Sequence, residues 1–370
     1  MSRTDPPFRA DHVGSLLRPP AILEARAQAA EGKLDADGLR EIEDREISAM
    51  IARLAATGIR SITDGEFRRE WFHLDFLKQL GGITVEGAIA SSSDSAETVH
   101  VTPPRITVTG KLTHERPIQV ADYEFVAAHV PAGCMAKVAI PSPTMAHFRG
   151  GRAGIDIESY PDLDPFFEDL AQAYRDEIAA LYAAGCRYIQ MDDTNLAYLC
   201  DPEMRQGAID RGDDPNELPR TYAALINAAL EGRPDDLTVG VHLCRGNFRS
   251  TYFASGGYEP VAEVLFNELN VDAYFLEYDD ERSGDFAPLR HVPANKTVVL
   301  GLVTSKFPEL EPADDLKSRI EDAARFVSLD QLCLSPQCGF SSTVHGNVMT
   351  EDQQWAKLRH VVEVASDVWR

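Results

Sequence analysis

The residues with the clearest chemical potential are a histidine and a cysteine two positions apart, His242 and Cys244, at the end of an apolar run. Side chains two apart on a strand point to the same side, so these two can bind one metal ion. Cys338 and Glu277 end two other apolar runs and can complete a set of four ligands. Thiolates together with an imidazole favour zinc. The sequence therefore predicts a zinc site made by His242, Cys244, Glu277 and Cys338.

The charge of this ligand set indicates what the metal would do. Two thiolates balance the charge of Zn²⁺, and Glu277 makes the centre singly negative. A substrate thiolate that replaces Glu277 keeps that charge and leaves the sulfur nucleophilic. Because a free thiol is mostly protonated at neutral pH, such a site is suited to activating a substrate thiol, more than to activating water.

The remaining cysteines, Cys134, Cys186, Cys200 and Cys333, are interpreted as core residues, because cysteine is among the residues most often buried. Six cysteines in 370 residues are too few for a disulfide framework, which favours a reducing compartment. The N-terminal segment has neither the basic nor the apolar region of a signal peptide. We therefore expect a cytoplasmic protein.

Eight apolar segments alternate with helical patterns along the chain, which predicts βα units around a parallel sheet. The predicted strands are FRADHVG near residue 10, IRSIT before Asp64, KVAIPSPT near residue 140, YIQM before Asp192, TVGVHLC ending at Cys244, AYFLEYD around Glu277, TVVLGLV ending at Val303 and LCLSPQC ending at Cys338. This is the strand count of an α/β (β/α)8 TIM barrel, whose active sites lie at the carboxyl ends of the strands. The four predicted metal ligands fall at such ends.

Three long amphipathic helices are predicted over about 37–57, 164–184 and 351–369. The segment 81–130 departs from the alternating rhythm: it contains a polar tract from Ser91 to Ser95 and the patterns RITVTGKL and PIQV, which are typical of short antiparallel strands. We predict that residues 1–370 form a single (β/α)8 catalytic domain. Residues 81–130 would be an inserted β-rich flap between strands two and three.

The composition limits the classes of partner. The chain has 36 Lys and Arg against 59 Asp and Glu, a formal net charge of −23. A chain this negative is repelled by nucleic acid and by anionic membranes, so neither is expected as a partner. No apolar run approaches the roughly 18 residues of a membrane span. The expected partners are small molecules.

Six motifs fall in order at predicted strand ends. They are HVGS at 12–15, DGEF at 64–67, IQMDD at 189–193, VHLCRGN at 241–247, Glu277, and LSPQCGF at 334–340. Together they resemble the catalytic half of the cobalamin-independent methionine synthases and, more closely, short stand-alone bacterial proteins of that kind. The resemblance covers nearly the whole chain. It implies a zinc-dependent barrel enzyme that moves a methyl group from a folate to the thiol of homocysteine and so forms methionine.

The resemblance also implies roles for single residues. The four predicted metal ligands correspond to the zinc ligands of the family. Glu66 and Asp192 would hold the amino group of homocysteine and so belong to the catalytic set. Ser15, which follows Gly14 at the end of the first predicted strand, would lie beside the substrate carboxylate.

Two departures from the family pattern concern the methyl donor. Where full-length synthases place a histidine after strand seven to protonate the departing folate nitrogen, this sequence has Thr304, a poor acid. His345, in the loop after Cys338, is a candidate replacement acid. The folate segment is represented by SPTMAHF, in which Phe148 is the nearest aromatic residue. Methylfolate and a corrinoid are therefore both candidate donors, and a sulfonium would also need no acid.

Two other functions stay open. One is a different thiol alkylation on zinc, such as epoxyalkane:coenzyme M transfer. Coenzyme M carries a sulfonate, which would favour arginines near the strand ends, namely Arg9, Arg18, Arg68 and Arg69. The other is a zinc-binding protein without catalysis. The paired carboxylates Glu66 and Asp192 argue against both, because they suit an amino-acid thiol.

Overall fold

The structure, a computed structural model, describes residues 3–87, 90–95, 98–102 and 104–370. In these ranges the α-helices are α1 Pro20–Ala30, α2 Ala36–Ala56, α3 Leu74–Leu77, α4 Val120–His129, α5 Leu163–Ala183, α6 Asn195–Tyr198, α7 Pro202–Asp210, α8 Leu218–Ala229, α9 Ala262–Asn267, α10 Ala313–Ala323 and α11 Glu351–Val368. The strands are β1 Ser61–Ile62, β2 Gly81–Glu86, β3 Ala90–Ser95, β4 Thr98–Thr102, β5 Arg105–Thr113, β6 Met135–Ala136, β7 Val138–Pro141, β8 Tyr188–Asp193, β9 Thr238–Leu243, β10 Ala273–Glu277, β11 Thr297–Val303 and β12 Leu332–Pro336. Short 3-10 helices cover Pro143–Ala146, Gly151–Gly154, Glu281–Ser283, Ala287–His291 and Leu329–Gln331.

A parallel sheet of six strands positions the predicted site. Its order is β12-β11-β10-β9-β8-β7, and every neighbouring pair is parallel. The six strands are almost entirely buried, as expected for a parallel sheet covered on both faces. The pairing places Asp192 of β8 opposite His242 of β9, so two predicted site residues are neighbours in the sheet. Predicted strands three to eight are therefore confirmed as strands of one sheet.

The first predicted strand, FRADHVG, is wrong as a strand: the segment makes one parallel bridge, between Ala10 and Leu334 of β12. The Asp11 carboxylate explains the difference. It accepts hydrogen bonds from the backbone N–H groups of Phe8 (3.2 Å) and His12 (2.8 Å). Those groups are then not available for a strand ladder. The second predicted strand shortens to β1, which pairs in parallel with β6.

The predicted flap is partly antiparallel. β2 pairs with β5 and β3 pairs with β4, both antiparallel, as predicted for this segment. The strand predicted at PIQV is wrong, because α4 begins at Val120 and continues to His129. Tyr123 and Val126, three residues apart, bury one face of this helix. Residues 88–89, 96–97 and 103 of the predicted flap lie outside the described residues.

The three long predicted helices are confirmed within one residue at each end as α2, α5 and α11. Side-chain caps define two of their starts. The Asp35 carboxylate accepts the N–H of Gly38 at the start of α2, and Thr350 forms a capping box with Gln353 at the start of α11. None of the helices in the described part of the chain is long and apolar enough to cross a membrane.

A buried ion pair ties the first segment to the sheet. The Lys137 ammonium, between β6 and β7, lies 3.1 Å from the Asp11 carboxylate, and both side chains are fully buried. Asp11 also accepts hydrogen bonds from the hydroxyls of Ser61 (2.7 Å) and Tyr188 (2.9 Å). One carboxylate thus joins the first segment to β1, β8 and the link between β6 and β7.

Candidate metal and substrate site

A cavity of about 720 Å³, its open mouth included, lies where the strands of the sheet end at their carboxyl sides. Five of the residues predicted from the sequence line it, namely Ser15, Glu66, Asp192, His242 and Cys244, and Cys338 is a sixth. The cavity therefore brings together three predicted metal ligands and three predicted substrate residues.

Three of the predicted metal ligands form one group. The ligand atoms of His242, Cys244 and Cys338 all lie within 4.8 Å of one another, and the three side chains are buried. Both ring nitrogens of His242 are buried with no hydrogen-bond partner among the described residues. Buried polar atoms are nearly always paired, so an imidazole left free on both sides fits a metal ligand. Two sulfurs and one nitrogen form the donor set.

The proton distribution in this group also favours metal binding. A hydrogen bond from Cys244 is the main cause that lowers the pKa of the Cys338 thiol, and the same bond raises the pKa of Cys244. Burial lowers the pKa of His242, but its interaction with Cys338, together with the charges of Asp192 and Glu277, outweighs burial and raises it. This shift favours the thiolate of Cys338, the form of cysteine that binds metals.

Glu277, the fourth predicted ligand, ends β10 but lies outside this group of three. Its Oε2 accepts the backbone N–H of Arg245 at 2.6 Å. Its Oε1 accepts hydrogen bonds from Nη2 of Arg282 (2.9 Å) and from Nζ of Lys306 (3.2 Å). Burial raises the pKa of Glu277, but the charges of Lys306, Arg245 and Arg282 outweigh burial and lower it to about 2. Glu277 is thus a fully buried carboxylate surrounded by cations.

Glu66 and Asp192 are both buried and face the same cavity. Burial is the main cause that raises the pKa of Glu66 to about 7 and that of Asp192 to about 6, and the charge of Arg69 opposes both shifts. Oε2 of Glu66 has no hydrogen-bond partner among the described residues, and Nη1 of Arg69 lies 3.8 Å away. A cationic group that entered the cavity would supply the missing partner.

Local backbone geometry places the Glu66 side chain. Glu66 has a φ of 57°, which a residue with a side chain adopts only when its surroundings hold it there. Its N–H donates to the Asp64 carboxylate at 2.9 Å, which closes the turn after β1. On β8, the Gln190 amide donates to Asp192 at 2.7 Å and orients the second carboxylate.

Two glycines leave room for the predicted substrate residues. A Cβ on Gly14 would lie 3.2 Å from Oε1 of Glu66, so Gly14 lies close to the Glu66 carboxylate. A Cβ on Gly339 would overlap Oγ of Ser15. The Ser15 hydroxyl accepts the N–H of Ser341 at 3.4 Å and lines the cavity. Gly14 and Ser15 therefore lie next to Glu66 and to the loop that follows Cys338.

The residues predicted for the methyl donor lie elsewhere. Among the described residues that line the cavity, Phe148, His345 and Thr304 are absent. Phe148 packs against Tyr198, which lines the cavity, with ring centroids 5.9 Å apart. His345 packs against Phe248, with ring centroids 5.2 Å apart, and burial, followed by the charge of Arg249, lowers its pKa.

Sequence reasoning missed an aromatic wall. The rings of six residues line the cavity, as does the exposed Arg149; these six are Trp71, Phe72, His73, Tyr198, Phe248 and Phe253. Trp71 and Phe248 are stacked, with centroids 6.2 Å apart and ring planes 18° apart. A signal was present: Trp71, Phe72 and His73 follow DGEF closely, and Phe248 comes directly after VHLCRGN.

Comparison with known proteins agrees with this geometry. The family model of the cobalamin-independent synthase catalytic domain matches residues 8–367. The chain belongs to this family of cobalamin-independent synthase catalytic domains.

Individual relatives support the assignment. YxjH of Bacillus subtilis, a protein of uncharacterised function, is 51% identical over 98% of this chain and 95% of its own. A methionine synthase of Pyrococcus horikoshii is 24% identical over 88% of this chain and 84% of its own. The crystal structure of a candidate vitamin-B12-independent methionine synthase from Listeria monocytogenes superposes with a TM-score of 0.79, at 41% identity and 98% coverage of both chains. The α/β fold is therefore that of methionine synthase catalytic domains.

Proposed function

We propose that this protein is a zinc-dependent methyltransferase that moves a methyl group to the thiol of homocysteine and so forms methionine. One observation carries the proposal: a His/Cys/Cys group and a pair of buried carboxylates line the same cavity. The first suits the sulfur of the substrate, and the second suits its ammonium group. Homocysteine carries both groups on one short chain.

The metal-binding residues would be His242, Cys244 and Cys338, a donor set that favours zinc. When bound, zinc would keep the substrate thiol deprotonated and nucleophilic near neutral pH. Glu277, the fourth ligand implied by the family resemblance, would add a negative charge beside the metal.

The substrate-binding residues would orient the amino acid. The ammonium group of homocysteine would lie between Glu66 and Asp192, where it supplies the hydrogen-bond partner that Oε2 of Glu66 lacks among the described residues. Ser15 would lie beside the substrate carboxylate, next to the backbone N–H of Ser341. Holding both ends of the amino acid would direct its sulfur toward the His/Cys/Cys group.

The reaction forms a sulfur–carbon bond and breaks the bond between the methyl group and its donor. The thiol loses its proton when the sulfur becomes the nucleophile, and the leaving group keeps the electron pair of the broken bond. A folate nitrogen would also need a proton, whereas a corrinoid or a sulfonium would not. Neither Thr304 nor His345 lines the cavity, which favours a donor of the second kind over methylfolate.

The same proposal includes a closed (β/α)8 barrel over residues 1–370, with the β-rich segment from 81 as its inserted flap. Three contacts beyond the six-stranded sheet support closure: the bridge from Ala10 to Leu334, the pairing of β1 with β6, and the 3.0 Å hydrogen bond from Leu16 N–H to Gly65 O. Together they connect β12 to the first segment, that segment to β1, and β1 to the link before β7. A cytoplasmic location is part of the proposal.

Coenzyme M is less well supported as the thiol. The arginines that favoured it in the sequence, Arg9, Arg18, Arg68 and Arg69, do not line the cavity among the described residues. Arg18, for example, donates to backbone carbonyls of Glu66, Arg69 and Thr343. If the protein bound zinc without catalysis, nothing would explain why it buries two carboxylates, which costs free energy unless a cation pairs with them.

The direct test is methionine formation by zinc-loaded protein from homocysteine, with methylfolate, methylcobalamin and S-methylmethionine as donors. We expect methionine with at least one donor, and a loss of activity in Cys338→Ser and Cys244→Ser together with their zinc. Cys333→Ser is the matched control, because Cys333 is buried inside β12 and should keep both zinc and activity. Full zinc occupancy in the first two variants would refute the ligand assignment. Alkylation of coenzyme M in place of homocysteine would refute the substrate.

A further inference from the structure

The aromatic wall of the cavity continues up to the proposed metal group. The N–H of Gly246 donates to Sγ of Cys244 at 3.3 Å. A Cβ on Gly246 would overlap the Phe253 ring, so this ring lies directly on the backbone that contacts the sulfur. Burial chiefly raises the pKa of Tyr198, and the charge of Cys244 adds to that shift, so the Tyr198 ring is also close to this sulfur. Two rings of the wall therefore adjoin a proposed metal ligand.

A stacked pair of rings extends the wall. Trp71 and Phe248 both line the cavity, and their exposed fractions are 9% and 3%. The faces of aromatic rings are partially negative and attract cations, most strongly where water is excluded. Four rings around one cavity therefore favour a ligand that carries a positive charge.

The charges around the cavity have the same preference. Glu66, Asp192 and Asp193 line it, and Arg149 is the one lysine or arginine among the described residues that does so. Arg149 is exposed to solvent. His73 adds no positive charge, because burial, followed by the charge of Arg149, lowers its pKa well below its usual range. The buried part of the cavity therefore attracts cations, and its single cation is free to bind an anionic group.

Size and leaving group separate the candidate methyl donors. A corrinoid is much larger than a drug-sized ligand, whereas a cavity of about 720 Å³ with its open mouth is of ordinary size and must also hold homocysteine. Methylfolate needs an acid, and neither Thr304 nor His345 is among the described residues that line the cavity. A sulfonium compound is small, has the charge that the rings attract and leaves as a neutral thioether.

We propose that the aromatic wall binds the methyl donor, and that this donor is a small sulfonium compound with a carboxylate. Its sulfonium would lie on the rings beside the metal group, and its carboxylate would pair with Arg149. Tyr198 connects the two positions, because it is close to Cys244 and forms a hydrogen bond with Arg149. The inference rests on the proposed function and names the class of its donor.

The reaction would consume two opposite charges. The homocysteine thiolate attacks the methyl carbon and a sulfur–carbon bond forms. The bond between that carbon and the sulfonium sulfur breaks, and its electron pair stays on the departing sulfur. Both products are neutral thioethers, so no residue has to protonate the leaving group. A cavity lined by apolar rings stabilises separate charges less than water does, which favours their neutralisation there.

The test uses two donors and one neutral analogue. Dimethylsulfoniopropionate has both the sulfonium and the carboxylate, dimethylpropylsulfonium lacks the carboxylate, and 4-methylpentanoate has carbon in place of the charged sulfur. With zinc-loaded protein and homocysteine, both sulfonium compounds should give methionine, and KM should be about three- to fivefold lower for the first. In calorimetry without homocysteine, the first should bind about tenfold tighter than 4-methylpentanoate.

Variants of the rings test the attraction of the cation. Phe253→Leu should weaken binding of dimethylsulfoniopropionate at least about threefold and leave that of 4-methylpentanoate unchanged, because leucine keeps an apolar surface without a ring. Trp71→Leu should act in the same direction and covers the case in which Phe253→Leu does not fold. Phe326→Leu is the matched control: Phe326 is 41% exposed against 40% for Phe253, and it does not line the cavity.

Variants of the arginine test the carboxylate. Arg149→Gln should remove the difference in KM between the two sulfonium donors, and Arg149→Lys should restore part of it. Arg325→Gln is the control, because Arg325 is exposed, pairs with Asp322 at 3.0 Å and does not line the cavity.

Two results would overturn the inference while leaving the proposed function intact. One is a parent protein that forms methionine from methylcobalamin or methylfolate but from no sulfonium carboxylate, S-methylmethionine included. The other is an equal loss of affinity for dimethylsulfoniopropionate and 4-methylpentanoate in both ring variants. A parent protein that forms no methionine from any of these donors would instead contradict the proposed function itself.

Discussion

The pH dependence of substrate binding tests the carboxylate pair in a way that can be worked from the structure. Glu66 and Asp192 are buried, and their pKa values are raised to about 7 and about 6. At pH 6 both therefore keep a large share of their protons, and a protonated carboxyl does not attract an ammonium group. Binding of the amino acid should tighten as the pH rises through these values and level off near pH 8.

The expected size follows from linkage. If the bound ammonium returns both carboxylates to their ordinary pKa values, Glu66 alone strengthens binding about tenfold between pH 6 and pH 8, and Asp192 adds about twofold. The total is roughly twentyfold. In Glu66→Gln only the twofold part remains. At pH 8 this variant should also bind at least about thirtyfold more weakly, because a buried charge has lost its partner.

The ligand for this assay is methionine, because homocysteine has a thiol that titrates near the same range. Calorimetry on zinc-loaded protein at pH 6, 7 and 8 gives the affinities, and 4-(methylthio)butanoate, which lacks the ammonium group, is the control ligand. Methionine affinity that does not change with pH would refute the role of the carboxylate pair. So would an equal pH dependence in the parent and in Glu66→Gln.

Three further predictions follow from other parts of the molecule. Lys137→Met leaves the Asp11 carboxylate buried without its cation, so the free energy of unfolding should fall by about 3 to 5 kcal/mol. Urea titration measures this change, and a loss below about 1 kcal/mol would contradict the pairing. Gly339→Ala should weaken methionine binding roughly tenfold or more while zinc stays bound, because the new Cβ overlaps Oγ of Ser15. An unchanged methionine affinity would show that Ser15 does not take part in substrate binding. Methionine formation from methylfolate should be about 10² to 10⁴ times slower than from the best donor whose leaving group needs no proton, because Thr304 cannot act as the acid. Equal rates with the two donors would show that another residue supplies the proton.

The parts of the fold that could be predicted are those that local pattern determines. The strands β7 to β12 are short apolar runs followed by polar residues, and the helices α2, α5 and α11 have regular apolar stripes. Because the carboxyl ends of parallel strands meet at one edge of the sheet, the ends of β9 and β12 placed Cys244 and Cys338 close together. The grouping of His242, Cys244 and Cys338 could therefore be predicted from the sequence.

What could not be predicted depends on tertiary contacts. The segment around residue 10 has a strand-like composition, but the Asp11 carboxylate takes two of its backbone N–H groups. Val120–His129 is a helix although PIQV looks like a strand, because burial of one helical face prevails over β propensity. Lys306 was missed because a lysine after a strand is usually solvated, and only the packed loop brings it to Glu277.

The most direct test of a thiol-activating metal site uses cobalt in place of zinc and follows absorption in the near ultraviolet, where thiolate ligands of cobalt are visible. The parent protein should show bands of two thiolates from Cys244 and Cys338, and these bands should grow when homocysteine is added. Cys338→Ser should show weaker bands, and Cys333→Ser should match the parent. A cobalt spectrum that homocysteine leaves unchanged, in a parent that binds one cobalt per chain, would contradict activation of the thiol by the metal.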